Sequence, residues 1–379
     1  MAFTQFSKRL MCESMVVMPK RVLTEELSAI EAQSFIKRFI VGRDRSAATS
    51  PRPWSGDIHL DGFLLAAREL RLVFEPLGEG SCRIVDGGGG RVIGELRDMI
   101  SNLVGIEAIG LCCRKDYTLK ALRGICPVPE QAVFTLRQGG AAEEYAMERS
   151  FGVVVKPVSL AGGRGITTRI RSAEDFRNGW RKAVAAIMEK CSAPYIVVEE
   201  YLPGVDLRVI VVRDRVACAT TRVPAHVIGT GRATVADLIA EKNWERAKHP
   251  HHRLYPLPPN PEIDGCDPTV WIPERGEVVL LSQAANVHCG GEAFDVTDML
   301  PDHVCQDAVR AVQAIPGLNV AGVDFQASGF GTKDRATIIE LNTYANFGIH
   351  YYPYFGQPRN PARAVIDAML ATPIERSSI

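Results

Sequence analysis

Asp324, Glu340 and Asn342 carry oxygen donors inside two otherwise apolar segments, "NVAGVDFQ" and "ATIIELN". Ile338 and Ile339 are β-branched and fit a pleated, half-buried surface. Glu340 and Asn342, two residues apart, then share one strand face. The intervening "ASGFGTKDR" reads as a turn. Strands symmetric about Thr332 place Asp324 opposite Glu340. Two carboxylates facing each other across strands repel. A divalent cation reverses that sign, and hard Mg²⁺ takes its oxygens from one or two carboxylates plus substrate phosphates. The competing reading is an edge strand with solvated polar residues, which the flanking Val, Ile and Leu runs disfavour.

A second segment has matching chemistry. Lys156 ends the apolar run "VVVK" and precedes "PVSLAGGRG", where Gly162, Gly163 and Gly165 free the backbone to approach an anion. Backbone N–H groups of such a loop cradle phosphates while a lysine supplies point charge. A plain hairpin turn has the same composition. The loop lacks both the Gly-Lys-Ser/Thr ending of a P-loop and the strand-to-helix setting of a dinucleotide fingerprint. The other glycine run, 87–90, reads only as a turn between strands, because no helix follows it.

The elements that must position these groups follow from local pattern. Residues 24–39 predict an opening helix capped by Thr24, and 50–57 a loop. "SCRIVDGGGGRVIGEL" predicts two strands about a turn, and "RKDYTLKALRG" a short helix closed by Gly124. Ser172 opens a helix with Asp175 at the capping-box position and Phe176, Trp180, Val184 and Ile187 at helical spacing. "PYIVVEEYL" and "DLRVIVVRDRVACATTRV" predict three strands. Residues 244–276, rich in Pro, His and charge, read as a long surface excursion. Within it "HPHHR" (249–253) reads as a solvated loop rather than a metal tract. A helix near 301–315, the hairpin 320–343 and a terminal helix from Asn360-Pro361 complete the chain. Adjoining strands make α+β with mixed sheets a better fit than a doubly wound fold.

The chain has 379 residues, more than one core usually organises, so two or three subdomains are expected. Forty-four basic residues balance forty-four acidic ones, which gives no sign of a nucleic-acid or membrane-surface partner. No signal peptide and no apolar run of spanning length is apparent, and ten scattered cysteines fit reduced thiols, so a cytoplasmic location is expected. Cys112-Cys113 reads as buried packing, since a catalytic thiol needs a paired base.

Taken in order, "RKDYTLKAL", "VVVKPVSLAGGRGI", "VVEEYLPGVDLRVIVV", "RVPAHVIGTGRATVADLI", "AGVDF" and "IIELNTYANFGIHYYP" resemble the ATP-grasp superfamily over about residues 100–370. The branch they look most like contains the ATP-grasp parts of cyanophycin synthetase and of bifunctional glutathione synthetases. The resemblance implies an ATP-grasp fold with ATP bound between two α+β subdomains, here 111–220 and 221–379, after a small N-terminal α/β domain, 1–110. It implies that Lys115 and Lys156 contact ATP phosphates and that Gly163, Arg164 and Gly165 close over them. Glu199, with the backbone at Glu200 and Leu202, matches the adenine segment, and Asp206 the ribose ligand. Asp324, Glu340 and Asn342 match the ligands of two Mg²⁺ ions, with Mn²⁺ an alternative. Arg208 and Arg222 match catalytic positions near the transferred phosphate and the acyl intermediate; His226 and Asn286 are candidate substrate contacts. Read alone, Glu199 could simply end a strand and Arg208 could be a surface arginine.

The implied activity is ATP-dependent amide-bond formation between a carboxylate and an amine, through an acyl phosphate and with release of ADP and phosphate, on an amino acid or small peptide. A non-catalytic nucleotide-binding regulator and a carboxylate kinase without ligation are the alternatives. The further ligase domains of those relatives are not expected here, which points to a free-standing enzyme; a homo-oligomer is left open. "TYANFG" after Asn342 departs from the proline-glycine step common in relatives and borders the expected acceptor pocket.

Overall fold

The computed structural model describes Ile36 and residues 58–372, apart from Glu79, Gly89, Phe151, Ala161, Gly162, Asn260, Glu262, Asp264, Gln283 and Ala284. The expected helix at 24–39, the loop at 50–57 and Gly162 therefore lie outside the described residues, Ile36 excepted.

Helix α1 (Asp61–Glu69) leads into a four-stranded meander, β1 (Leu72–Gly78), β2 (Ser81–Asp86), β3 (Val92–Arg97) and β4 (Ile100–Ser101). Helices α2 (Ile106–Cys112) and α3 (Lys115–Leu122) follow, the latter ending before Gly124, whose φ of +83° is the left-handed geometry of a helix stop. A second four-stranded sheet, ordered β5-β8-β6-β7, is made by β5 (Gln131–Thr135), β6 (Val153–Pro157), β7 (Thr167–Ile170) and β8 (Tyr195–Glu200). Helices α4 (Gly139–Met147) and α5 (Ala173–Glu189) cover it. The Ser172 hydroxyl accepts from the Asp175 N–H at the start of α5, and Phe176, Ala183 and Ile187 bury one face against Val153, Val155, Ile196 and Val198.

The third and largest sheet is five-stranded, ordered β13-β10-β9-β14-β15, from β9 (Val205–Val212), β10 (Arg215–Val223), β13 (Glu292–Asp295), β14 (Val320–Ala327) and β15 (Ala336–Asn342). Helices α7 (Asp302–Gln313) and α9 (Pro361–Leu370) pack on it, and a short α8 (Gly348–Tyr351) follows β15. A small excursion, β11 (His226–Ile228), α6 (Val235–Arg246) and β12 (Val278–Leu280), has its own core of Ala225, Val227, Val235, Leu238, Ile239, Leu257, Val279 and Leu281.

Three expectations are adjusted. Every ladder among the described residues is antiparallel, so the sheets are not mixed, although β5–β8, β6–β8, β9–β14 and β10–β13 join strands that are not consecutive in the chain. Strands β9 and most of β10, assigned by sequence to the 111–220 unit, pair with β13 and β14 instead, so the sheet division falls between Glu200 and Val205. Phe63, Ile84 and Ile93 of the N-terminal part share one core with β9, β10 and β14, so that part has no separate interior.

Candidate active site

The central sheet builds the site by alternation. Asp324 is the ladder partner of Glu340 on one side and of Arg208 on the other, and Thr220 continues that row. The next row joins Gln326, Asp206 and Arg222. A bulge between Asp324 and Phe325 shifts the register of the last hairpin just past the carboxylate row, a device that re-aims side chains.

Each acidic group meets a cation. Arg208 clamps Asp324 with both arms, Nε and Nη2 each donating at 2.6 Å, and Asn342 Nδ2 donates to the same carboxylate at 3.1 Å. Arg222 lies 3.5 Å from Asp324 and 3.7 Å from Asp206, whose Oδ1 also accepts from Gln326 Nε2 at 3.1 Å. Burial pushes the Asp324 pKa up, but Arg208 and Arg222 outweigh it and hold the carboxyl below its ordinary value. Asp206 has weaker pairing; burial prevails and raises it. Arg208 is thus no surface arginine.

The second sheet contributes from the facing side. Lys156 and Glu199, on adjacent strands β6 and β8, form a buried pair at 2.7 Å. Burial still raises the Glu199 pKa against the attraction of Lys156. Glu199 therefore does more than end a strand. Glu200 donates its N–H to Glu130 O, and Tyr201 donates its own to Gly152 O, which pins the segment leading to Leu202. Lys115, first residue of α3, joins the two halves: its Nζ is 3.0 Å from Glu340 Oε1 and donates to Leu160 O at 3.1 Å. Leu160 belongs to the glycine-rich loop. In that loop Gly163 and Gly165 have φ of +76° and +70°, and a Cβ at Gly165 would meet Ala186 Cβ at 2.9 Å and Pro157 Cγ at 3.0 Å. Arg164 lies exposed between them.

Four carboxylates (Glu199, Asp206, Asp324, Glu340) and four cations (Lys115, Lys156, Arg208, Arg222) are gathered here. Among the described residues no three His, Cys, Asp or Glu side chains form a self-sufficient metal centre. A magnesium ion shared with a nucleotide needs only one or two carboxylates, and the donor set Asp324, Glu340 and Asn342 is all oxygen from hard ligands, which fits it.

Some expected residues stand elsewhere. His226 has no exposed surface; its Nδ1 is 2.8 Å from Pro224 O and its Nε2 3.6 Å from the buried Glu292, which also pairs with Lys242 and Arg246. It belongs to the anchoring of the excursion behind the site. "HPHHR" is not solvated: His249, His251 and His252 are buried, with His252 edge-on to His249, His251 and Tyr354 and His251 tilted against Tyr255, because the excursion folds back onto α8, where His251 lies against Gly348, instead of projecting outward. Cys112 is buried and its pKa is pushed up to about 12 by desolvation, but Cys113 is exposed. Sequence reasoning missed His350, fully buried on α8 within the field of Arg208, Arg222 and Asp324, and missed Gln326, whose alternation with Asp324 along β14 was an available signal.

A glycine-rich loop and Lys156 on one sheet, a carboxylate–amide row on another, and Lys115 of α3 reaching both make up the arrangement of the ATP-grasp class of proteins. The chain belongs to that superfamily. It is 34% identical over 284 residues to the cyanophycin synthetase of Nostoc sp., a match covering 71% of this chain and 30% of that protein. To the bifunctional glutathione biosynthesis protein of Enterococcus faecalis it is 35% identical over 222 residues, covering 54% of this chain and 28% of that one. The crystal structure of a bifunctional glutathione synthetase from Pasteurella multocida superposes with a TM-score of 0.59 at 24% identity, covering 83% of this chain and 43% of that chain, and shares the fold. No family model matches the chain. The chain spans about a third of the length of the curated relatives it matches. No helix among the described residues is long and apolar enough to cross a membrane.

Proposed function

We propose that the chain is an ATP-dependent carboxylate–amine ligase that forms an amide bond on an amino acid or small peptide through an acyl phosphate, releasing ADP and phosphate. The observation that carries this reading is Lys115, which touches the Glu340 carboxylate and the glycine-loop carbonyl of Leu160 at once. A metal-binding row and a phosphate-binding loop are thereby parts of one site. The relatedness to cyanophycin synthetase and to a glutathione biosynthesis protein supports the substrate class.

Charge balance decides how the site accepts a nucleotide. Without it, four carboxylates neutralise four cations. With it, Lys115 and Lys156 turn to the phosphates, which releases Glu340, and Arg208 turns from Asp324 to the transferred phosphoryl group, so that Asp324, Glu340 and Asn342 would hold up to two Mg²⁺ ions, or Mn²⁺ in their place. Bound there, the metal would neutralise charge developing on the transferred phosphoryl group. Nucleotide binding is therefore an exchange of ion pairs rather than a burial of new net charge, which avoids the large penalty of an uncompensated buried ion.

Glu199, the backbone from Glu200 to Leu202 and Asp206 are assigned to adenine and ribose. A carboxylate oxygen is a poor leaving group until it is phosphorylated. Arg208, which pairs with Asp324, is assigned to the γ-phosphoryl group in transfer, and Arg222, which reaches both Asp206 and Asp324, to the oxyanion formed when the amine attacks. Gly163, Arg164 and Gly165, with Gly162, cover the phosphates and exclude water that would hydrolyse the acyl phosphate. Asn286 lies beside this loop, 3.8 Å from where a Cβ of Gly163 would stand, and is kept as a substrate contact; His226, with no accessible atom, is not. The test is an ADP-release assay over paired acids and amines with mass spectrometry of the product. Turnover must require both partners; AMP and pyrophosphate as products would reject the reading.

A further inference from the structure

The proposed ligation needs a base. An amine nucleophile is largely protonated at neutral pH, and its lone pair becomes available only when that proton leaves. The four site cations cannot accept it, and with nucleotide bound the carboxylates are assigned to metal, adenine and ribose. All eight histidines lie among the described residues. His226, His249, His251, His252 and His350 are buried, His303 Nε2 contacts Asp334 O at 3.1 Å, His59 is half-buried, and His288 is exposed.

His288 stands on the single helical turn Val287–Cys289. On one side of it Asn286 faces Gly163 of the phosphate loop; on the other, β13 begins, whose Ala293 is the ladder partner of Arg222. Tyr255 meets the imidazole edge-on, with ring centroids 4.6 Å apart at 84°, and so limits its rotation. The charged groups that reach it are His59 and Arg222. Partial burial, then these two neighbours, hold its pKa below the ordinary imidazole value, leaving the ring neutral at neutral pH.

We propose that His288 is the general base of the ligation, taking one proton from the substrate ammonium so that the freed amine lone pair bonds to the acyl carbon. The C–N bond forms, the bond from that carbon to the phosphate oxygen breaks, and inorganic phosphate leaves with that electron pair and takes up the second proton of the nitrogen. The imidazolium then returns its proton to solvent from its exposed edge. This assignment rests on the acyl-phosphate reading above.

Hydroxylamine separates the two, because it is largely unprotonated at neutral pH and needs no base. The wild-type chain and His288→Ala are assayed on the proteinogenic amino acids as acids, with amino acids or hydroxylamine as nucleophile. The expected result is that His288→Ala loses at least about a hundredfold in amide formation, keeps hydroxamate formation and ADP release with hydroxylamine, and loses the acidic limb of the kcat/KM pH profile. Equal loss with both nucleophiles, or no loss with amines, overturns the role of His288 and leaves the ligase reading standing. Absence of ADP release by the wild type with every acid and hydroxylamine removes the ligase reading itself, and this base with it.

Discussion

Lys115 at the head of α3 and Glu340 on the last strand of the central sheet meet at 3.0 Å, with the glycine loop's Leu160 carbonyl on the same ammonium. The Glu340 side chain keeps 26% of its surface exposed, and its buried partner Lys115 retains the Leu160 carbonyl, with an amide oxygen at position 340 as a further acceptor. Glu340→Gln should fold with a near-normal melting temperature while turnover falls at least about a hundredfold, since the electrostatic contribution to phosphoryl transfer is lost. ADP release and a thermal melt on the same sample check both halves. Near-normal turnover would remove the metal assignment.

Lys156 and Glu199 behave differently because both are buried. Removing one partner of a buried pair costs about 3–5 kcal/mol, less where the survivor takes up a proton, and the Glu199 pKa already lies high. Lys156→Met should destabilise the fold, and Glu199→Gln added to it should recover most of the loss. Nucleotide affinity should not return with the second change. Urea unfolding and calorimetric titration with ATP read the two effects separately; recovery of both together would mean that Lys156 serves the fold alone.

The buried histidines give the protein an acid-sensitive fold. Desolvation, together with nearby cations, lowers the pKa of His226 to about 4 and of His251 and His350 to about 3, and pushes that of His252 well below its ordinary value. A group whose folded pKa is depressed stabilises the native state fully above its unfolded value of 6.5; that contribution is lost as pH falls toward the folded value. Each such histidine steepens the loss by up to about 1.4 kcal/mol per pH unit once pH is well below 6.5. His252→Asn should therefore show a shallower fall in stability than wild type between pH 6.5 and 4.5, measured by urea unfolding at each pH. Parallel curves would contradict a neutral, buried His252.

Gly165 is fixed by space as well as by backbone. Its φ is +70°, and a methyl group would crowd Ala186, Pro157 and the backbone of Ala183. Gly165→Ala should raise the KM for ATP roughly tenfold or more through a displaced loop, a cost of about 1.4 kcal/mol in binding, with a smaller effect on the KM for the acid. Gly163, whose added Cβ would meet, among the described residues, only Asn286 at 3.8 Å, should tolerate Ala better in the fold. Steady-state kinetics with each substrate varied in turn distinguishes these outcomes.

What the sequence determined by itself is what alternation and capping control. The symmetry about Thr332 put Asp324 opposite Glu340, the spacing of Asp206 and Arg208 put them on one face, and Ser172 with Asp175 marked the start of α5; all are local consequences of strand and helix periodicity. What only the tertiary structure decided is which charge meets which, and what is hidden. No local rule could send Lys115 to Glu340 or Arg208 to Asp324, since those pairs depend on how separate segments pack. "HPHHR" and His226 read as polar and accessible because composition reports affinity for water, whereas burial depends on the layer that later folds across them.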